Sequence, residues 1–233
     1  MNKETFYNKC LENGLSLSLD QKKQFDQYYH LLYETNKVMN LTAITEEEEV
    51  YEKHFYDSLL FSFCLDLNNK TLVDVGSGAG FPGLVLAIGY PLCQITLVEP
   101  LTKRCTFLNK VINELKLKNV KVINARAEDL STYRAKFDYA TARAVARLNI
   151  LLELIMPLIK VNGIFIALKG KQGNEEIKEA NNALKILNSV VIKTQQINLI
   201  TDLDNRINIF IKLNKDVDKK YPRNYSKIKN KPL

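Results

Sequence analysis

The chain has only two histidines and four cysteines in 233 residues, and neither type is arranged for metal or redox chemistry. Cys10, Cys64, Cys93 and Cys105 are scattered without a C-x-x-C pair, and His30 and His54 are the only imidazoles. That pattern speaks against a zinc site and a disulfide framework, and it fits a reducing cytoplasm. The first residues, MNKETFYNKCLENG, carry no apolar signal region, and no run approaches the roughly twenty apolar residues of a membrane span. Internal repeats and Gly/Ser- or Pro-rich linkers are also missing, so no clean domain boundary is expected. These absences describe a soluble intracellular chain.

What is present is a substantial core. A hydrophobic content of 46% over this length supports one α/β domain with an appendage, and 25% charged residues suit a soluble surface. Lysine and arginine number 33 against 26 acids, a net charge of +7. That excess favours an anionic partner, nucleic acid being the usual one, although a lysine-rich solvated surface gives the same count.

Residues 1–70 read as a helical extension. Ser18 with Gln21 forms a capping-box pair, and Phe25, Tyr28, Tyr29, Leu32 and Tyr33 recur at helical spacing. Residues 39–44, MNLTAI, read as a loop, after which Thr45 with Glu48 caps a second helix whose acidic first turn complements the helix dipole. From Thr71 strands and helices alternate. Strands are expected at 72–75, 95–98, 120–123, 137–141 and 164–168, and helices after Phe81 and at 103–115, 148–159 and 175–187. Two closing strands, 190–200 and 207–213, leave no room for a helix between them. The pattern predicts an α/β core over residues 71–218, a mostly parallel sheet covered on both faces with a final antiparallel hairpin. Residues 219–233 form a basic tail with six cations and no acid. It reads either as a disordered terminus or as a phosphate-contacting arm.

The organising stretch is LVDVGSGAGFPG, residues 72–83. A buried strand runs into Gly76, Gly78 and Gly80, and Pro82 suits the first turn of the helix that follows. Gly78 to Gly83 also satisfies G-x-G-x-x-G, and Glu99 stands about twenty residues on, where an acid binds ribose hydroxyls. Both features fit a nicotinamide dinucleotide as well as S-adenosylmethionine. Asp74 followed by Gly76 tilts the balance, because D-x-G-x-G-x-G resembles the first motif of S-adenosylmethionine-dependent methyltransferases. On this reading Asp74 helps hold the ammonium of the methionine end, and amides around Gly76 to Phe81 meet its carboxylate and the ribose. Ala127 and Glu128, in the loop after the third strand, meet the adenine. Arg143 emerges beside the cofactor at the end of the fourth strand.

The fourth strand also narrows the acceptor. It ends Thr141-Ala142-Arg143-Ala144, without the Pro-Pro-aromatic motif of amino-group methyltransferases, and no cysteine lies near it for attack on cytosine C5. Guanine N7 asks less of a protein. Its in-plane lone pair is exposed on the base edge and attacks without first losing a proton, so catalysis reduces to positioning.

The combination NLTAI (40–44), H-x-x-D-S-L (54–59), DVGSGAGFPG, KRCTFL (103–108), RAED (126–129), TARAVA (141–146), ALKG (167–170) and the terminal YPR and KPL resembles the bacterial small-subunit ribosomal RNA guanine-N7 methyltransferases, the glucose-inhibited division protein B family. The resemblance covers nearly the whole chain. It implies a Rossmann-like S-adenosylmethionine-dependent methyltransferase core with a helical amino-terminal extension, and N7 methylation of one guanosine in the decoding-region loop of 16S ribosomal RNA with S-adenosylmethionine as donor; no metal is expected. Cofactor contacts carry over to Gly76, Phe81, Ala127, Glu128 and Arg143. Glu99-Pro100 replaces the Asp-Ser pair of many relatives, and the tail lacks a second basic residue after Arg223.

Lys103, Arg104, Arg126, Arg147, Lys169, Lys171 and Arg223 are the candidates for an RNA-facing rim. Asn40 and Arg143 are the candidates nearest the transfer itself, while His54 and Asp57 read as packed structural residues. Naked RNA, an assembling particle and the mature subunit remain open as substrates, with a monomer as default and no protein partner required. Two other classes fit less well: a nicotinamide-dependent oxidoreductase, for which no proton donor is evident, and a non-catalytic ribosome-binding factor, which need not retain Asp74, Glu99 and the glycines.

Overall fold

Among the described residues seven strands make the frame: β1 (Thr71–Val75), β2 (Gln94–Val98), β3 (Val120–Ile123), β4 (Phe137–Arg143), β5 (Ile159–Lys169), β6 (Ser189–Ile197) and β7 (Arg206–Leu213). This is a computed structural model that describes residues 1–199 and 206–233. The sheet order is β3-β2-β1-β4-β5-β7-β6. The first five strands pair in parallel, and β7 inserts antiparallel between β5 and β6. Both faces of the sheet are covered. Leu72 faces one buried cluster while its neighbours Val73 and Val75 face the other, which is why β1 reads as an unbroken apolar run.

One face carries α1 (Lys3–Glu12), α2 (Leu19–Asn36), α3 (Glu47–Val50), α4 (Asp57–Leu59), α5 (Gly83–Gly89) and α6 (Thr102–Glu114). The other carries α7 (Leu148–Ile155), α8 (Gly173–Glu179), α9 (Asn181–Ile186) and α10 (Tyr225–Asn230). The capping box at Ser18 and Gln21 forms as the sequence predicts, but α1 has no counterpart among the expected helices. The Thr45–Glu48 cap does not form. Glu46 takes the extended N-cap position, and no side chain caps α3.

Other differences have local causes. Pro82 precedes α5 rather than entering it. The helix expected to reach residue 159 stops at Ile155, because Pro157 forces a 3-10 turn over Met156–Leu158. β5 then starts at Ile159 and absorbs Asn162 and Gly163, where the pairing with β4 shifts register. The helix expected over 175–187 divides at Ala180 into α8 and α9. β6 ends at Ile197, and Ile200, its expected end, lies outside the described residues.

The amino-terminal helices share one core with the sheet. Phe6, Phe25, Tyr28, Tyr51 and Phe55 form an aromatic cluster with touching rings 5.0 to 6.3 Å apart between centroids, continued to Phe81 through Tyr28 at 5.6 Å. The Tyr28 hydroxyl donates to the Ala79 carbonyl at 2.6 Å, so α2 grips the glycine turn directly. Between α3 and α4 the chain widens into a π-helical turn, Tyr51–Tyr56, a feature frequent at functional sites. His54 leaves this turn to stack on Phe81 at 4.3 Å and 20°.

The basic tail packs as well. Ile228 of α10 is fully buried, and Arg223 grips the buried Glu153 of α7 through Nε at 2.8 Å and Nη2 at 2.7 Å, with its backbone N–H donating to the same carboxylate. Arg223, expected on the RNA-facing rim, is therefore half-buried and committed to an ion pair with the core.

Two outcomes follow from this packing. Arg223→Ala leaves Glu153 buried without its partner and lowers the unfolding free energy by about 3–5 kcal/mol in denaturant titrations, and adding Glu153→Leu recovers most of that loss. His54 governs acid stability. Burial, with Arg143 beside it, pushes the imidazole down to about 3. An unfolded histidine titrates near 6.5, so the unfolded chain takes up a proton that the folded one refuses, and stability falls as pH drops from about 6.5 toward 3. By pH 4.5 this amounts to about 2–3 kcal/mol, and His54→Gln removes it from the acid limb. Asp74, pushed up to about 6 by burial, acts with the opposite sign, so comparing the variant with the wild type isolates His54.

Candidate active site

The strand order reverses beside β1: β2 and β3 extend to one side, β4 and β5 to the other. In such a sheet the ligand crevice opens beyond the carboxyl ends of the strands at that switch point. The glycine turn leaves β1 there. Its amides, however, are spent on the protein. Gly76 and Ser77 donate to Val98 O, Gly80 and Phe81 donate to Ser77 O, and Gly78 donates to a Glu99 carboxylate oxygen at 2.9 Å. Five of the turn's amides are thus engaged within the protein. What the turn offers is acceptors, since the carbonyls of Gly76 and Gly78 receive no hydrogen bond among the described residues. The space above Gly78 is open, the nearest atom to a side chain built there being Gly76 O at 3.9 Å.

Asp74 lies beneath the turn. It is fully buried, one oxygen accepting from Gly83 N–H at 3.1 Å and the other from the Thr141 hydroxyl at 3.1 Å. A side chain at Gly83 would collide with Leu97 and the Asp74 carboxylate, so glycine is required for this close approach. The carboxylate ties β1, the start of α5 and β4 together, and it shapes the turn from beneath. Glu99, at the end of β2, spends one oxygen on Gly78 and the other on Leu101 N–H at 2.9 Å, each oxygen keeping a further lone pair. Ala127 and Glu128 form a half-buried 3-10 turn just past β3, on the same rim.

Across the turn, beyond β4 and β5, lies a cleft of about 780 Å³. The two halves are divided by Val145, whose Cγ2 sits 2.5 Å from where a Gly76 side chain would start. With a φ of +75° as well, Gly76 admits no other residue. The cleft is lined by Lys53, Arg143, Arg147, Lys169, Lys171 and Arg206, against the two carboxylates Asp57 and Glu176.

Arg143 is the hub of this half. Its guanidinium donates to Lys53 O at 3.2 Å and Asp57 at 3.2 Å, approaches His54 Nδ1 at 3.2 Å, and lies over the Phe81 ring at 5.1 Å. Arg206 reaches the same Asp57 oxygen at 2.7 Å. His54 Nε2 is paired with the Thr42 hydroxyl at 2.8 Å, which brings the NLTAI loop to the site. Phe81 is buried, with His54 and Arg143 in contact with each other and both packed against its ring.

The predicted rim divides. Arg147, Lys169 and Lys171 line the cleft, although Arg147 pairs with Glu179, and the largely buried Lys169 pairs with Glu176 at 2.7 Å. Lys103, Arg104 and Arg126 stand at the ends of β2 and β3, with Arg126 64% exposed. Arg223 does not line the cleft, and neither does the exposed Asn40, whose loop reaches it through Ile44. Lys53 and Arg206 were missed. Lys53 adjoins His54 in the motif region, and Arg206 opens β7, whose antiparallel pairing with β5 carries it to the cleft. Among the described residues no group of three or more histidine, cysteine or acidic side chains converges as a metal site, and no helix is long and apolar enough to cross a membrane.

Solved structures share the architecture. An AdoMet complex of M. jannaschii TYW2 aligns with a TM-score of 0.55 at 15% identity, covering 64% of this chain and 71% of that one. A 16S rRNA (adenine(1408)-N(1))-methyltransferase from Catenulisporales acidiphilia aligns with a TM-score of 0.52 at 14% identity, covering 65% and 88%. At such identities the likeness is one of fold. Sequence relatives are much nearer. The ribosomal RNA small subunit methyltransferase G of Staphylococcus epidermidis is 45% identical, over 100% of this chain and 99% of its own. That of Streptococcus agalactiae is 44% identical over 100% of both. The family model for rRNA small subunit methyltransferase G matches residues 21–203, and with relatives this similar along their whole length, the chain belongs to that family.

Proposed function

We propose that the protein transfers a methyl group from S-adenosylmethionine to N7 of a guanosine in the decoding-region loop of 16S ribosomal RNA. The observation that carries this reading is a cationic cleft whose lining residue Val145 packs directly against the glycine turn, in a chain of this family. Donor and acceptor can then meet across one wall.

The turn fits the donor. The unspent carbonyls of Gly76 and Gly78 suit the ammonium of the methionine end, and the open space above Gly78 admits it. Glu99 retains lone pairs for the ribose hydroxyls. Ala127 and Glu128 stand where the adenine would lie, the carboxylate and a backbone amide reading its edge. When bound, S-adenosylmethionine supplies an electrophilic methyl on a sulfonium.

The acceptor half has the wrong groups for base catalysis and the right ones for positioning. His54 is neutral with both nitrogens engaged, and Asp57 and Glu176 are held by cations. A ring nitrogen with its lone pair already exposed needs no proton removed. Arg143 and its partners hold the cleft wall rigid, so the base is oriented for in-line attack, where most of the rate advantage lies. The surrounding lysines and arginines suit the phosphates flanking the target. On this reading the protein works in the cytoplasm as a monomer, acting on ribosomal RNA or a small-subunit particle.

Mapping 7-methylguanosine in 16S ribosomal RNA from cells with and without the gene tests the assignment. Loss of one modified guanosine in the decoding-region loop, restored by purified protein and S-adenosylmethionine, is the expected result. Identical modification in both strains would refute it.

A further inference from the structure

The opposite pole of the sheet carries a second cleft that the transfer reaction does not use. It opens at the amino ends of β1 to β4, among Thr71, Gln94, Val120 and Phe137, and encloses about 430 Å³. No carboxylate lines it. Its charged residues are Lys118, Lys121 and Lys136, all exposed, and its aromatic wall is Tyr133.

The arrangement around Tyr133 is specific. The ammoniums of Lys121 and Lys136 lie 5.4 and 5.8 Å from the centre of this one ring, which is itself stacked near-parallel on Phe137 at 6.1 Å. Among the described residues none of the three lysines has an ion-pair partner, whereas nearby Lys160 is neutralised by Asp138 at 2.8 Å. The ring's negative face offsets part of the repulsion between its two cations. The remaining field is uncompensated, and a cleft lined by one sign of charge concentrates counter-ions.

The shape of the charge indicates the anion. β3 is an edge strand, and it leads from Lys118 and Lys121 at this pole to Arg126 just past its carboxyl end. Arg104, 38% exposed, stands beside the crevice rim there, 3.9 Å from Glu99, and Arg126, 64% exposed, stands 3.9 Å from Glu128. A basic path thus follows the free edge of the sheet for the length of a four-residue strand, about 13 Å. An open linear path of lysines and arginines matches a polyanion, whereas a small anion is better held by a closed ring of donors.

We propose that the Lys118–Lys121–Lys136 groove and the β3 edge bind the phosphodiester backbone of the RNA substrate at a distance from the target nucleotide. This rests on the reading of the acceptor as RNA. The contact is independent of sequence: it fixes how the RNA lies on the protein, while the cleft selects the base.

The test compares wild type with Lys121→Gln/Lys136→Gln and with a charge-matched control, Lys185→Gln/Lys215→Gln. Two RNAs transcribed in vitro serve as probes, a short hairpin bearing the decoding-region loop and a longer 16S fragment that includes its flanking helices. Affinity is measured across a potassium chloride series, with the single-turnover methylation rate at saturating RNA as a second readout. On the long RNA the groove variant binds about five- to tenfold more weakly, and its log–log salt slope is shallower by about 1.5, one counter-ion term for each lysine lost. Its saturated rate, its affinity for the short hairpin and the control's behaviour stay at wild-type values. An unchanged slope, or an equal loss in the control, overturns the proposal. So does weakening seen only on protein-bearing particles and not on naked RNA, which would assign the groove to an acidic protein surface. Binding is read directly, so a wild type that binds RNA without methylating it would defeat the proposed function and leave the groove's result standing.

Discussion

One largely buried guanidinium holds three distant segments of this chain in register. Arg143 closes β4, yet its partners come from the π-helical turn and α4, and the ring beneath it comes from the glycine turn. A buried arginine is tolerated only with its partners in place. The amino-terminal helices, the cofactor turn and the cleft wall must therefore arrive together. The same contacts explain why His54 stays neutral and why Phe81 is turned inward. What resembles a set of separate motifs along the sequence, NLTAI, H-x-x-D-S-L, GFPG and TARAVA, converges in space on this one cation.

Around that hub, charge is unevenly spent. Arg223 is consumed by Glu153, Arg147 by Glu179 and Lys169 by Glu176, so part of the basic excess stabilises the fold. Glu176 also accepts from Leu148 N–H at 2.7 Å, capping the start of α7. Lys121 and Lys136 at the amino pole belong to the other class, with no carboxylate facing them.

The sheet was legible because apolar runs and turn residues repeat with regular spacing. β3 and the capping box of α2 match their readings residue for residue. β5 was harder. Its first half holds Asn162 at positive φ and Gly163, which read locally as a turn, and only pairing with β4 makes them part of a strand. The site was legible in identity more than in role. Asp74, Glu99 and the glycines are where they were expected, but the direction of each hydrogen bond depends on neighbours distant in sequence. Gly76 illustrates this: its lack of a side chain makes room for Val145, a residue no local pattern connects to it.

The central claim is that the protein catalyses transfer by positioning, with no group removing a proton. The pH dependence of the single-turnover rate, at saturating RNA and S-adenosylmethionine, tests it most directly. The account predicts a rate that is flat between about pH 6.5 and 8.5, because guanine N7 attacks with a lone pair it already has. A rate that climbs tenfold per pH unit across that window, toward the pKa of a deprotonating group, would contradict it.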